Sequence, residues 1–95
     1  MKVARTDVKK NLPKKGFRKD KSKGHIYFYH EYRGKETGVS TYVSHSSSFK
    51  DISGDILKCM RKQLRLDTNR EVVELVNCPM SKEDYNTRMR QKGIF

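Results

Sequence analysis

The chain has 95 residues, of which 34% are apolar and 35% charged, with a net charge of +11 and no tryptophan. At such a length only roughly 60% of the unfolded chain's surface is buried on folding, which implies one domain with a modest core and argues against a large ligand cavity. Two cysteines, Cys59 and Cys78, are too few for a disulfide framework, and neither a signal-peptide-like apolar run nor a stretch of ~20 apolar residues is present, so a cytoplasmic protein with no membrane partner is expected.

In chain order, Thr6 or Asp7 is placed to cap a first helix carrying Val8 and Leu12 on one face, and Pro13 ends that helix before Gly16. Phe17 opens a short first strand, after which residues 18 to 24 read as a Lys-rich loop closing on Gly24. Residues 25 to 32 and 37 to 45 alternate as two strands joined by a turn around Arg33, Gly34 and Lys35, which makes a β-hairpin. Within the first of these strands Ile26, Phe28, His30 and Tyr32 share one face, and His25, Tyr27, Tyr29 and Glu31 share the other. A two-residue loop at Arg33 and Gly34 sets Tyr42 opposite His25 and Val39 opposite Phe28; an even change in loop length alters the pairs but keeps the faces matched.

Ser46, Ser47 and Ser48 form the next turn, followed by Phe49, Ile52, Ile56, Leu57, Met60 and Leu64 at helical spacing. Ser53 is preferred as the start of this main helix, with a capping box of Ser48 and Asp51 as the other candidate. Cys59, between Ile56 and Met60, reads as a small buried residue rather than a nucleophile. Thr68 with Glu71 caps a further helix bearing Val72, Val73, Leu75 and Val76, and Ser81 with Asp84 caps a last one bearing Tyr85 and Met89. The fold class expected is therefore α+β: a helix, a three-stranded antiparallel sheet and a helix, with additional C-terminal helices over residues 67 to 95.

The charge lies in two blocks. Residues 1 to 24 hold ten Lys/Arg against Asp7 and Asp20, a net of +8, and residues 49 to 66 add +3, whereas residues 25 to 48 and 67 to 95 are each neutral. Such a distribution suits a phosphate backbone, an anionic surface or an acidic protein. Beside the first block stands His25, on a strand face with Tyr27 and Tyr29 and close to Tyr42, preceded by Lys19, Lys21 and Lys23. Imidazole is suited to take a proton from an RNA 2′-hydroxyl at neutral pH, tyrosines can stack on bases, and lysines can hold phosphates. The three histidines and two cysteines lack the paired close spacings of a structural zinc site, and His25 and His30 point to opposite faces, so no metal site is expected. No Gly-rich phosphate loop, paired-carboxylate site or serine triad is visible, which leaves kinase, glycosidase and serine-hydrolase readings without footing.

The order of parts carries a resemblance: a first helix, Gly16-Phe17, a basic segment into Gly24-His25-Ile26-Tyr27, a hairpin, then Val43-Ser44-His45-Ser46 leading through Lys50-Asp51-Ile52 into Ile56-Leu57. From residue 6 to about 66 this resembles the HicA-type toxins of toxin-antitoxin systems, whose fold is similar to double-stranded-RNA-binding domains and which act as mRNA interferases through one strand histidine. The resemblance implies an endoribonuclease with His25 as its catalytic residue, no cofactor, RNA as substrate and a HicB-type antitoxin as partner. On this reading Lys19, Lys21, Lys23 and Lys35 position the phosphate backbone and Tyr27, Tyr29 and Tyr42 contact the RNA. The chain departs from the family in lacking a serine between Gly24 and His25, in Pro13 and in its longer tail. Two other readings of the residues stand beside it: a noncatalytic RNA-binding module, and a basic adaptor for an acidic protein.

Overall fold

A three-stranded antiparallel sheet in the order β2-β3-β4 is the platform of the molecule, and a two-stranded ribbon pairs β1 with β5 beside it. The strands are β1 (Lys2–Ala4), β2 (Phe17–Ser22), β3 (His25–Tyr32), β4 (Lys35–Ser44) and β5 (Asp51–Ser53). The helices are α1 (Arg5–Asn11), α2 (Gly54–Gln63), α3 (Asn69–Val76) and α4 (Lys82–Gln91), with a 3₁₀ turn over Leu12–Lys15. The computed structural model describes residues 1–22, 24–44, 50–77 and 79–95. The expectations for Lys23, His45, the serine turn 46–48, Phe49 and Cys78 lie outside the described residues.

Local chemistry explains most boundaries. Pro13 lacks the N–H that would continue α1, so the chain tightens into the 3₁₀ turn and leaves it at Gly16. Helix α1 begins earlier than expected, at Arg5 with Ala4 as N-cap, because the Arg5 backbone N–H is satisfied by the Lys50 carbonyl at 2.8 Å instead of by a Thr6 or Asp7 side chain. Ser53 is the N-cap position of α2 as expected, although its side chain makes no capping bond, and the capping boxes Thr68/Glu71 and Ser81/Asp84 are both formed.

Two departures concern the sheet. Residues 17 to 22 are a full strand, β2, rather than a strand start followed by a loop: they pair with β3 from Phe17↔His30 to Ser22↔His25. The hairpin turn narrows to the two residues Arg33, at φ 53, and Gly34, at φ 80, the left-handed pair that a type I′ turn requires, so Lys35 and Glu36 belong to β4 rather than to the turn. Beyond it the register differs. Between the pairs Tyr29↔Ser40 and Glu31↔Glu36, β3 contributes His30 alone and β4 contributes Thr37, Gly38 and Val39, with Gly38 taking φ 89. This bulge moves the ladder by two residues, so Tyr42 lies opposite Tyr27, Thr41 opposite Phe28 and Ser44 opposite His25. An even shift preserves the faces.

One hydrophobic cluster joins the helix-facing side of the sheet (Phe17, Ile26, Phe28, Val43) to Val8, Leu12, Leu57, Leu64, Leu75 and Tyr85 from every α-helix and the 3₁₀ turn. The C-terminal helices are thus part of the core. Asn11 Nδ2 donates to the Val76 carbonyl at 2.7 Å, and the Tyr85 hydroxyl donates to the Leu64 carbonyl at 2.7 Å, so α3 and α4 are also tied by buried polar contacts. Burial pushes the Tyr85 phenol pKa up. Among the described residues no helix is long and apolar enough to cross a membrane.

At the far end of β3, His30 is fully buried among the rings of Phe17, Tyr85 and Phe95, at 5.0, 5.1 and 5.6 Å. Its Nδ1 and Nε2 lie 2.8 Å from Thr37 Oγ1 and 2.8 Å from Asn86 Oδ1. Burial lowers the His30 pKa from its ordinary 6.5, partly opposed by the Asn86 bond. The neutral ring therefore contributes stability that is full above the unfolded-state value of 6.5 and is lost as pH falls through the lower folded value, at up to about 1.4 kcal/mol per pH unit. Urea unfolding should show this decline between pH 7.5 and 5, and His30→Gln should be less stable at pH 7.5 with a shallower decline. Leu75→Ala should cost about 2–5 kcal/mol in a single unfolding transition if α3 belongs to the core, and no second transition should separate.

Candidate nucleic-acid interface and histidine site

The face of the sheet turned away from the helices carries a row of rings. Tyr29 and Tyr27 are stacked at 6.0 Å and 17°, Tyr27 meets Tyr42 at 5.6 Å, and Tyr42 meets the His25 ring edge-on at 5.1 Å and 77°. Strand alternation puts them on one side, and the bulge in β4 is what brings Tyr42 level with Tyr27. Tyr42 is 46% exposed and the other three rings are half-buried. His25 ends the row, with Ser22 across from it on β2 and Ser44 across from it on β4.

The opposite end of the row carries paired charges. Arg18 lies over the Tyr29 ring at 5.0 Å and is shared among Asp20, Glu31 and Glu36. The hydrogen bond to Glu36, and after it that to Glu31, raises the Arg18 pKa against the lowering effect of desolvation. With Arg33 in the turn and Lys35 beside it, three cations face three carboxylates here, so this end offers a polyanion no net attraction.

The expected lysines divide differently. Lys19 pairs with Phe28 and Lys21 with Ile26, so both stand on the helix-side face of β2, exposed at the sheet edge and turned away from the tyrosine row. Lys35 pairs with Tyr32 at the hairpin end, about 23 Å along the strand from His25. The structure thus unites His25, Tyr27, Tyr29 and Tyr42 and places Lys19, Lys21 and Lys35 elsewhere.

In their stead a different cation shares a cleft with the histidine. A cleft of about 310 Å³ opens between the edge of β4 and α2, and His25, Tyr42, Ser44 and Arg5 line it. Arg5 is 8% exposed and donates from Nη1 to the Ser44 carbonyl at 3.2 Å, which anchors its guanidinium beside the strand residue opposite His25. Sequence reasoning did not find Arg5, because its position depends on the three-residue pairing of β1 with β5, too short to leave a periodic signal. The far wall of the cleft includes Ile56 and Cys59 of α2. Both overturn expectations of burial: Ile56 is 57% exposed and Cys59 is exposed, since α2 turns Leu57, Met60 and Leu64 inward instead. Among the described residues no group of three His, Cys, Asp or Glu is arranged to hold a metal ion.

Comparison of the chain with protein-family models, with curated proteins and with solved structures gave no match. The exposed placement of Cys59 has a direct check: in a Cys78→Ser background, native protein should react with one equivalent of Ellman's reagent without denaturant, and the signal should vanish on further Cys59→Ser substitution.

Proposed function

We propose that this chain is a small basic RNA-binding toxin of the HicA type, a cytoplasmic endoribonuclease that cleaves mRNA with His25 and is neutralised by a HicB-type antitoxin. The observation that carries the reading is the position of His25 at the junction of three features: a row of tyrosines able to stack on bases, a cleft, and the guanidinium of Arg5. A helix, a three-stranded antiparallel sheet and a helix in chain order, here with β1 and β5 added, support it further, since the resemblance implies that arrangement.

In the proposed reaction the imidazole of His25 takes the proton of a 2′-hydroxyl, and the 2′ oxygen attacks the adjacent phosphorus. The bond from phosphorus to the 5′ oxygen breaks, that oxygen takes up a proton, and the products are a 2′,3′-cyclic phosphate and a 5′-hydroxyl. The role of Arg5 is to offset charge that builds on the phosphoryl oxygens, where a fixed cation acts without reorganising. No metal enters these steps. The phosphate-positioning lysines of the resemblance are revised accordingly: Lys35 has no part near the histidine, and Lys19 and Lys21 serve the strand edge only.

A second reading, a noncatalytic RNA-binding module, is favoured by the edge-on packing of His25 on Tyr42, which makes the imidazole the last ring of a stacking surface. His25→Ala separates the two. Purified wild type should cleave single-stranded RNA, and the variant should lose about 10²–10⁴-fold in rate while retaining RNA within a few-fold of wild type. Equal cleavage by the variant sinks the catalytic assignment, and retention without cleavage by wild type selects the binding module. RNA affinity should also fall steeply between 50 and 200 mM salt, because phosphate contacts release counterions; binding indifferent to salt speaks against both readings.

A further inference from the structure

The cleft beside His25 has walls that the core does not explain. Ile56 and Cys59 leave apolar surface exposed on α2, Val43 and Met60 also line it, and β4 is the outer strand of the sheet, with no further strand beside it among the described residues. Polar side chains interrupt this apolar lining: Arg5, His25, Ser44 and, from the last turn of α2, Gln63. The Gln63 Oε1 accepts from the buried Thr41 hydroxyl at 2.7 Å, so the amide is oriented from behind by the sheet, and what it offers a ligand is N–H donation.

A space of about 310 Å³ lies at the small end of ligand pockets. It is too small for a peptide helix and suits a flat ring with a polar edge. Apolar side chains, one oriented amide and a guanidinium lining the same cleft are the recognition chemistry of an unstacked nucleobase followed by its phosphate. The tyrosine row leads to the same place: it runs from Tyr29 through Tyr27 to Tyr42, and Tyr42 lines the cleft together with His25.

We infer that the cleft between β4 and α2 is a binding site for one unstacked nucleobase of single-stranded RNA, the base adjoining the phosphate that faces His25, with Gln63 discriminating among bases. This rests on the RNA reading above and deepens it by naming the substrate as a single strand. Bases on one side of the phosphate stack along the tyrosines, and the base on its other side passes over the edge of β4 into the cleft. A duplex holds its bases stacked and paired and cannot supply that base without first opening.

The test uses the full chain and uncleavable 2′-fluoro octamers of U, A or C, followed by fluorescence anisotropy, with a 2′-fluoro hairpin duplex as the comparison. Cys59→Phe fills the cleft from an exposed helix position without changing charge, and should weaken all three octamers at least tenfold with an unchanged thermal midpoint. Gln63→Leu should change the ratio between the tightest and weakest octamer at least threefold. Because that substitution also removes the partner of Thr41, wild-type protein is titrated in parallel with the four ribonucleoside 5′-monophosphates, which should shift the amide signals of Val43, Cys59 and Gln63. The inference is overturned if wild type binds the octamers and both variants bind them with the same affinities and ratios, or if the duplex binds as tightly as the single strands; the RNA reading survives either result. Wild type that binds and cleaves no RNA at all removes the proposed function, and this inference with it.

Discussion

Both ring nitrogens of His30 are engaged, one by Thr37 in the bulge of β4 and the other by Asn86 on α4, with aromatic rings closing around them. This buried polar contact is the constraint on which the working face depends. A neutral imidazole buried without partners would be costly, so the bulge that delivers the Thr37 hydroxyl and the helix that delivers Asn86 are selected together. The bulge in turn sets the ladder two residues away from the simple hairpin register, and that shift is what aligns Tyr42 with Tyr27 and Ser44 with His25. A contact deep on the helix side thereby arranges the rings on the opposite side of the sheet.

The division of charge follows from the same alternation. Had residues 18 to 24 formed a loop, their lysines would have been free to gather around His25. As strand β2 they alternate instead: Arg18 and Asp20 join the tyrosine face, while Lys19 and Lys21 go to the other. Arg18 is then absorbed by three carboxylates and contributes no net positive field. The cation that shares a cleft with His25 is instead Arg5, which arrives from a different part of the chain.

That arrival depends on the smallest elements of the fold. Strands β1 and β5 have three residues each, and their pairing carries the start of α1 to the end of β4, where Arg5 donates to the Ser44 carbonyl. The same ribbon leads directly into α2, whose inward residues fill the core while Ile56 and Cys59 remain outside as one wall of the cleft. Histidine, arginine and cleft thus meet because short strands bring distant residues together, although each belongs to a different local element.

The sequence by itself determined the α+β class, the hairpin with its turn at Arg33 and Gly34, the Ser53 start of α2, both capping boxes, and the separation of His25 from His30 onto opposite faces. Most of these rest on local physics: positive φ at the turn, side-chain oxygens at the starts of α3 and α4, and a period of two along a strand. Only the tertiary structure decided the bulge at Thr37–Val39, the strand character of residues 17 to 22, the exposure of Ile56 and Cys59, and the approach of Arg5 to the histidine. These depend on partners far away in the chain. Asn86 lies 56 residues from His30, and Ser44 lies 39 residues from Arg5, beyond the reach of any window of local spacing. The faces could be read in advance because an even register shift leaves them unchanged; the pairs across them could not, because the bulge that sets the register meets His30, and through it Asn86, only in the folded chain.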